Sequence, residues 1–301
     1  MTALVRGDPS AHELPLHPLV TTGGRSLAGL RLQYRVLGNT RAARDNGWIL
    51  VFHALTGSAD AEQWWGPLVG PGKALDTSRH AVVAGNLLGS CYGSTGPQDW
   101  ATEHDDPWPE LTPADLAASH LPLLEHLGVE RLALVTGGSL GGMVTLEWGR
   151  RSNVPVDRLV VFAAPAATSA QAIGWNTVQR MAIEADPAWQ DGRYPPGQGP
   201  LAGLAAARAL AMITYRSGIE FDARFGRASF RPARAGPAGS SGPARRVAGS
   251  SEPAACLHRG AYLGQPQRCG PEGFLPVNPR NQRVEHRSRS HCQRERHYRS
   301  R

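Results

Sequence analysis

The residues whose types and spacing most clearly suggest chemistry are residues 137–141, a Gly-x-Ser-x-Gly run centred on Ser139. The apolar residues 132–136 before it predict a strand, and residues 140–150 after it predict a helix. On such a turn the hydroxyl stands at a helix N-terminus, where backbone N–H groups favour developing negative charge. We therefore predict that Ser139 is a nucleophile. The alternative is a glycine-rich turn without chemistry.

The elements that must position this serine alternate between strand and helix. Short continuous apolar runs at residues 48–52 and 81–84 are typical of strands covered on both faces, and residues 157–163 predict another buried strand. Residues 30–36 alternate between apolar and polar types, which predicts a half-buried strand near the edge of the domain. Residues 112–127 open with a capping Thr and a Pro and predict a helix. This order predicts an α/β fold, a mostly parallel sheet with flanking helices.

We divide the chain into three parts. Residues 1–164 form the N-terminal part of the α/β core. Residues 165–227 form a helical lid with helices at residues 169–185 and 201–215, which would shape an active-site cleft. Residues 228–301 are rich in Arg, Pro and Ser and show neither helical nor strand periodicity, so they predict a disordered or frameshifted tail. The sheet is accordingly expected to be incomplete at its C-terminal side.

Charge is distributed unevenly along the 301 residues. The net charge of +7 divides into +10 for residues 228–301, which contain 14 Arg, and −3 for the rest. A mildly acidic body argues against a nucleic-acid partner. The alternative is a non-catalytic remnant whose basic tail binds nucleic acid or membrane. The four cysteines form no metal-ligand pattern, and we predict no signal peptide and no membrane span, hence a cytoplasmic protein.

A second segment, residues 53–58, could bind the oxyanion that forms when the serine attacks. Residues 53–58 (HALTGS) directly follow the strand predicted at residues 48–52. In the α/β-hydrolase fold, the equivalent loop donates one N–H to the oxyanion, and the residue after the nucleophile donates the other. The backbone N–H groups of Leu55 and Leu140 are therefore predicted to form the oxyanion hole. We interpret His53 as a packed or hydrogen-bonded loop histidine, because a catalytic base should come late in the chain.

Four motifs resemble those of the homoserine O-acetyltransferase family and occur in the same order as in that family. They are residues 53–58, residues 70–77 (GPGKALDT), residues 91–97 (CYGSTGP) and residues 137–143 (GGSLGGM). The similarity continues into the lid through residues 169–171 (SAQ), 207–208 (AR) and 213–215 (ITY). It covers about residues 15–227. The family usually has Met where Leu140 stands, a change that retains the backbone N–H.

The resemblance implies an α/β-hydrolase fold and acetyl transfer from acetyl-CoA to L-homoserine, a step of methionine biosynthesis. Ser139 would form an acetyl-enzyme in a ping-pong cycle, with acetyl-CoA as co-substrate and no bound cofactor or metal. Arg208 matches the family's substrate-binding arginine, and its guanidinium suits a carboxylate; a helix-surface ion pair is the alternative. The family also suggests a homodimer through the lid helices. A succinyl donor, a serine acceptor and a plain esterase remain alternatives.

The chain departs from the family after the lid. The family completes its triad with an Asp and a His on late loops, and neither motif is found. The last aspartate is Asp222, and the tail histidines lack the expected surroundings (His258, His286, His291 and His297). We interpret the change at about Ala228 as a frameshift, with a lineage-specific tail as the alternative. Without its partners, a serine nucleophile loses several orders of magnitude in rate.

Overall fold

The structure is a computed structural model that describes residues 11–195 and 197–226. Within these residues the strands are β1 (His12–Pro15), β2 (Leu19–Val20), β3 (Ser26–Leu27), β4 (Arg31–Gly38), β5 (Trp48–Phe52), β6 (Val69–Gly70), β7 (Leu75–Asp76), β8 (Ala81–Gly85), β9 (Leu132–Gly138) and β10 (Leu159–Phe162). The helices are α1 (Thr40–Asn46), α2 (Ala61–Trp65), α3 (Pro97–Glu103), α4 (Pro113–Ala118), α5 (Leu121–His126), α6 (Leu140–Arg151), α7 (Ala170–Glu184), α8 (Leu201–Thr214) and α9 (Gly218–Phe225).

The central sheet has the strand order β1-β4-β8-β5-β9-β10. The last four of these strands run parallel, whereas β4 runs antiparallel to both β1 and β8. Phe52 pairs with Gly137, and Phe162 pairs with Gly138. The carboxyl ends of β5, β9 and β10 therefore meet at one edge, which is where open α/β sheets place their sites.

Both faces of β5 are buried because its side chains point alternately into two cores. Leu50 and Phe52 belong to the larger core, together with Trp148 of α6. Ile49 and Val51 belong to the smaller core, which includes side chains from the segment between β5 and β8. The continuous apolar sequence of β5 reflects this two-sided burial, as predicted for a central parallel strand.

The lid helices of the described region pair with each other. Helices α7 and α8 pack side by side, and Gly203 of α8 lies against the backbone of Ala182 and Ile183 in α7. A Cβ on Gly203 would lie 2.4 Å from the carbonyl oxygen of Ala182, so this close approach requires glycine. The helices predicted at residues 169–185 and 201–215 are present with bounds within one residue of the expectation, and their role as a lid stays a prediction.

The prediction of one continuous helix over residues 112–127 is wrong. It forms as two helices, α4 and α5, separated by Ser119 and His120. Pro122 explains the break, because it lacks the N–H that would bond the carbonyl of Ala118 and its ring would clash there. The Ser119 hydroxyl donates to the Leu116 carbonyl at 2.8 Å, and His120 Nδ1 lies 2.9 Å from the same oxygen.

Several expectations fall partly or wholly outside the described residues. These are the tail at residues 228–301 and the completeness of the sheet beyond β10. Across residues 11–195 and 197–226, no helix has both the length and the apolar character that crossing a bilayer requires.

Candidate active site

Ser139 occupies the sharp turn between β9 and α6. Its backbone angles, φ 54° and ψ −120°, are unusual for a residue with a side chain. Its N–H donates to the Phe162 carbonyl at 2.9 Å, and its carbonyl accepts from Met143 N–H at 3.1 Å to open the helix. A serine at a helix N-cap ordinarily uses its hydroxyl to cap the helix. Ser139 makes no such bond and its side chain is exposed, so the hydroxyl is available to a substrate.

Two glycines make this turn sterically feasible. A Cβ on Gly141 would lie 2.1 Å from the carbonyl oxygen of Phe52, and one on Gly137 would lie 2.4 Å from that of Gly141. Helix α6 therefore starts in direct contact with the end of β5. Gly138 differs, because a Cβ there would meet only ordinary contacts at 3.8 Å or more. The glycine requirement thus applies to the first and last positions of the Gly-x-Ser-x-Gly run.

The loop after β5 lies beside the start of α6. The Gly141 position is close to the carbonyl oxygens of both Phe52 and His53. A tight turn follows, in which Gly57 N–H donates to the Ala54 carbonyl at 2.9 Å, with half-buried Leu55 near its tip. Leu140 is the first residue of α6 and is buried. The first four N–H groups of a helix have no partner within it, so the Leu140 N–H can serve a ligand.

His53 is a buried structural histidine in this arrangement. Its Nδ1 donates to the Ala54 carbonyl at 2.7 Å, and its Nε2 accepts from Leu87 N–H at 3.0 Å. This pattern fixes the neutral tautomer with the proton on Nδ1. Burial lowers the pKa of His53 to about 4, and nearby His120 adds to the effect. The structure agrees with the interpretation of His53 as a hydrogen-bonded loop residue.

Aromatic side chains stand next to the turn. Trp65 and Phe162 pack edge to face with ring centres 5.5 Å apart. Both approach Gly138, the residue before Ser139, within about van der Waals distance of a Cβ placed there. Trp64 stacks obliquely on Trp65 and donates its Nε1 proton to the Ser58 carbonyl at 2.9 Å. No sequence motif gives these tryptophans a role, although two adjacent tryptophans in a Gly/Pro-rich segment are a signal that could have located them.

Arg208 lies on α8, next to buried Ala207. Arg208 is exposed, and the helix that carries it packs against α7. The resemblance to the homoserine O-acetyltransferase family implies that Arg208 binds the carboxylate of the substrate. That role stays a prediction.

A family model described as the alpha/beta hydrolase fold matches residues 47–253. The chain belongs to this family. The family assignment agrees with the sheet order, with the strained serine between β9 and α6, and with the expected fold class.

More specific similarity comes from individual proteins. The homoserine O-acetyltransferase of Trichormus variabilis is 44% identical over 220 residues, which is 72% of this chain and 61% of the relative. This confirms the resemblance found in the motifs. The chain thus spans about three fifths of the length of the curated relative that it matches.

Two solved structures extend the comparison. Esterase E22 superposes with a TM-score of 0.65 at 25% identity, covering 75% of this chain and 67% of its own. The homoserine O-acetyltransferase from Bacillus anthracis superposes with a TM-score of 0.66 at 23% identity, covering 73% and 64%. The second likeness supports the α/β-hydrolase fold.

We predict opposite outcomes for alanine at two glycines of the turn. Gly141→Ala should lower the free energy of unfolding by about 1–3 kcal/mol or prevent folding, because its Cβ overlaps the Phe52 carbonyl. Gly138→Ala should change it by less than about 0.5 kcal/mol. Urea unfolding followed by circular dichroism measures both. Equal effects in the two variants would contradict the steric assignment.

We also predict a stability loss in mild acid. Burial lowers the pKa of both His53 and His120 to about 4. An unfolded histidine titrates near pH 6.5, so the unfolded chain binds protons first as the pH falls. The free energy of unfolding should therefore fall between about pH 6.5 and pH 4, by roughly 3 kcal/mol at most for each histidine.

The measurement is urea unfolding at several pH values. His120→Asn removes one titrating ring while keeping a donor near the position of Nδ1, so its pH dependence should be shallower. His17→Asn, at an exposed position, is the matched control and should leave the dependence unchanged. An unaltered slope in His120→Asn would rule out this origin.

Proposed function

We propose that this protein transfers an acetyl group from acetyl-CoA to the hydroxyl of L-homoserine through an acetyl-Ser139 intermediate. The observation that carries the proposal is the exposed serine held at φ 54° between β9 and α6, within a chain 44% identical to a homoserine O-acetyltransferase. The proposed co-substrate is acetyl-CoA. The proposed place of the reaction is methionine biosynthesis.

The proposed steps are those of the acyl-serine cycle that the resemblance implies. The Ser139 Oγ attacks the thioester carbonyl carbon, and the resulting oxyanion is bound by the N–H groups of Leu140 and Leu55. Collapse of this intermediate breaks the carbon–sulfur bond, the departing CoA sulfur takes up the proton that Ser139 gave up, and the acetyl ester of Ser139 remains. The homoserine hydroxyl then attacks the ester, its proton is removed, and Ser139 regains a proton as the product leaves.

The attacking hydroxyl needs a base, and His53 does not supply it because both of its ring nitrogens bond backbone groups. Residues 223–301 contain no Asp, so they supply no triad Asp of the family's kind. We therefore expect acetylation of Ser139 to be slow compared with an enzyme that has a full triad. Detection of the acetyl-enzyme is for this reason a sharper test than turnover.

Incubation with acetyl-CoA should add one acetyl group to the protein, and peptide mass mapping should place it on Ser139. Ser139→Ala should remove the modification. Ser78→Ala, which alters another exposed serine, should not. Adding L-homoserine should discharge the acetyl-enzyme, and serine should discharge it more slowly. Succinyl-CoA should acylate Ser139 more slowly than acetyl-CoA does. An acetyl group that maps elsewhere, or persists in Ser139→Ala, would contradict the proposal.

A second candidate is simple ester hydrolysis, which the likeness to esterase E22 favours. Both reactions would proceed through an acyl-Ser139 intermediate and differ in the acceptor. The acetyl-enzyme should be discharged by homoserine faster than by water if transfer is the function. Discharge by water at the same rate, with or without homoserine, would favour the esterase.

We propose that Arg208 binds the homoserine carboxylate. Arg208→Ala should raise the KM for homoserine about 10- to 100-fold, as expected for loss of a charge-assisted hydrogen bond, without slowing acetylation by acetyl-CoA. Arg224→Ala, on neighbouring α9, serves as the control. A larger effect on the acetylation step than on homoserine would show that Arg208 acts on the donor instead.

Exposed apolar side chains on α7 and α8 support the homodimer suggested by the resemblance, since a second copy could cover them. The exposed set comprises Trp175, Val178, Met181, Leu201, Met212 and Ile213.

A further inference from the structure

The loop after β5, residues 53–59, is held at both ends by two consecutive residues of another loop. At its start, His53 Nε2 accepts from Leu87 N–H at 3.0 Å. At its end, Ala59 N–H donates to Asn86 Oδ1 at 2.5 Å. Between these points the chain makes the turn closed by Gly57 N–H and the Ala54 carbonyl. Leu55 thus sits in a short loop with two fixed ends.

Asn86 is itself rigidly anchored. It is only 2% exposed. Its Nδ2 donates to Gln33 Oε1 at 2.9 Å and to the Tyr92 carbonyl at 2.5 Å. Its N–H donates to the Gln33 carbonyl, and its own carbonyl accepts from the Ser94 hydroxyl. Every hydrogen-bonding group of Asn86 is therefore satisfied, and the residue joins β4, its own loop and the loop after β5.

The His53 contact depends on the state of the ring. The bond from Nδ1 to the Ala54 carbonyl places the proton there, which leaves the Nε2 lone pair for Leu87 N–H. A protonated ring would present a second N–H to a backbone N–H and would lose this contact. Burial at 1% exposure favours the neutral form that the contact needs.

We propose that His53 and Asn86 are positioning residues that hold the Leu55 N–H where the oxyanion forms. The proposal rests on the acyl transfer at Ser139 argued above. An oxyanion donor contributes to rate only when it is preorganised near the position of the developing charge, and supporting contacts must hold it within about 0.5 Å. A loop tied at two ends to one buried dipeptide meets that requirement. Neither residue touches the substrate.

Two substitutions of His53 separate the clamp from the fold. His53→Gln can place its Oε1 near the position of Nε2 and keep an acceptor for Leu87 N–H. His53→Asn can keep a donor near Nδ1 but cannot reach Leu87. Acetylation of Ser139 by acetyl-CoA should slow about 10- to 100-fold in His53→Asn, with the KM for homoserine unchanged. His53→Gln should stay within about threefold of the unaltered protein.

Amide hydrogen exchange tests the clamp without any reaction. Exchange at residues 54–59 should rise at least about tenfold in His53→Asn and Asn86→Ala, and remain near the original rate in His53→Gln. Thr177→Ala removes a side-chain hydrogen bond to the Ile173 carbonyl within α7, and it should leave these amides unchanged. Unchanged exchange in both clamp variants overturns the clamp whatever the activity.

The two measurements keep the proposals distinct. Faster exchange together with unaltered acetylation in His53→Asn overturns the positioning role while leaving the proposed function intact. Absence of acetylation in the unaltered protein overturns the proposed function and the catalytic part of the clamp together. Slower acetylation with faster local exchange, rescued by His53→Gln, supports the proposal.

Discussion

The close approach of α6 to the end of β5 is the constraint on which the candidate site depends. At Gly141 the helix passes so near the Phe52 carbonyl that no side chain fits. This contact requires the chain to reverse within one residue, and Ser139 takes the strained backbone conformation that results. Such strain costs about 1–3 kcal/mol and persists only where surrounding contacts determine it. Two such contacts surround Ser139. Its N–H donates to the Phe162 carbonyl, and α6 packs on β9 and β10.

The sheet makes this approach possible by burying both faces of its central strand. Phe52 lies in the larger core with Trp148 of α6, their ring centres 5.9 Å apart, so the same residue whose carbonyl meets Gly141 also fixes the helix laterally. Val51 belongs to the smaller core on the opposite face. The end of β5 is thus packed on both faces. The loop of Leu55 continues from this end, and α6, which begins after Ser139, lies against it.

Local patterns predicted the elements that form this frame, and non-local contacts escaped prediction. Continuous apolar runs located β5 and β8 almost to the residue, because burial on both faces leaves a clear composition. The interruption at Ser119 and His120 was missed, although Pro122 carries the reason in the sequence itself. Asn86 could not be found, because its partners come from three separate parts of the chain and leave no periodic trace. For the candidate site, spacing located the turn of Ser139 and the loop of Leu55, whose catalytic roles stay predictions, but not the hydrogen bonds that hold that loop.

The clamp and the expected loss of stability in acid have a common physical origin. An exposed histidine near its ordinary pKa of 6.5 would be partly protonated under mildly acidic conditions, and its Nε2 could not accept from Leu87 N–H. Burial moves the pKa of His53 to about 4 and keeps the ring neutral at higher pH. The same burial makes protonation in acid costly to the folded state. A lysine or arginine could not substitute, because neither offers an acceptor. A buried neutral ring therefore meets two demands at this position: it accepts a backbone proton at one end of the loop and remains uncharged beside a second buried histidine.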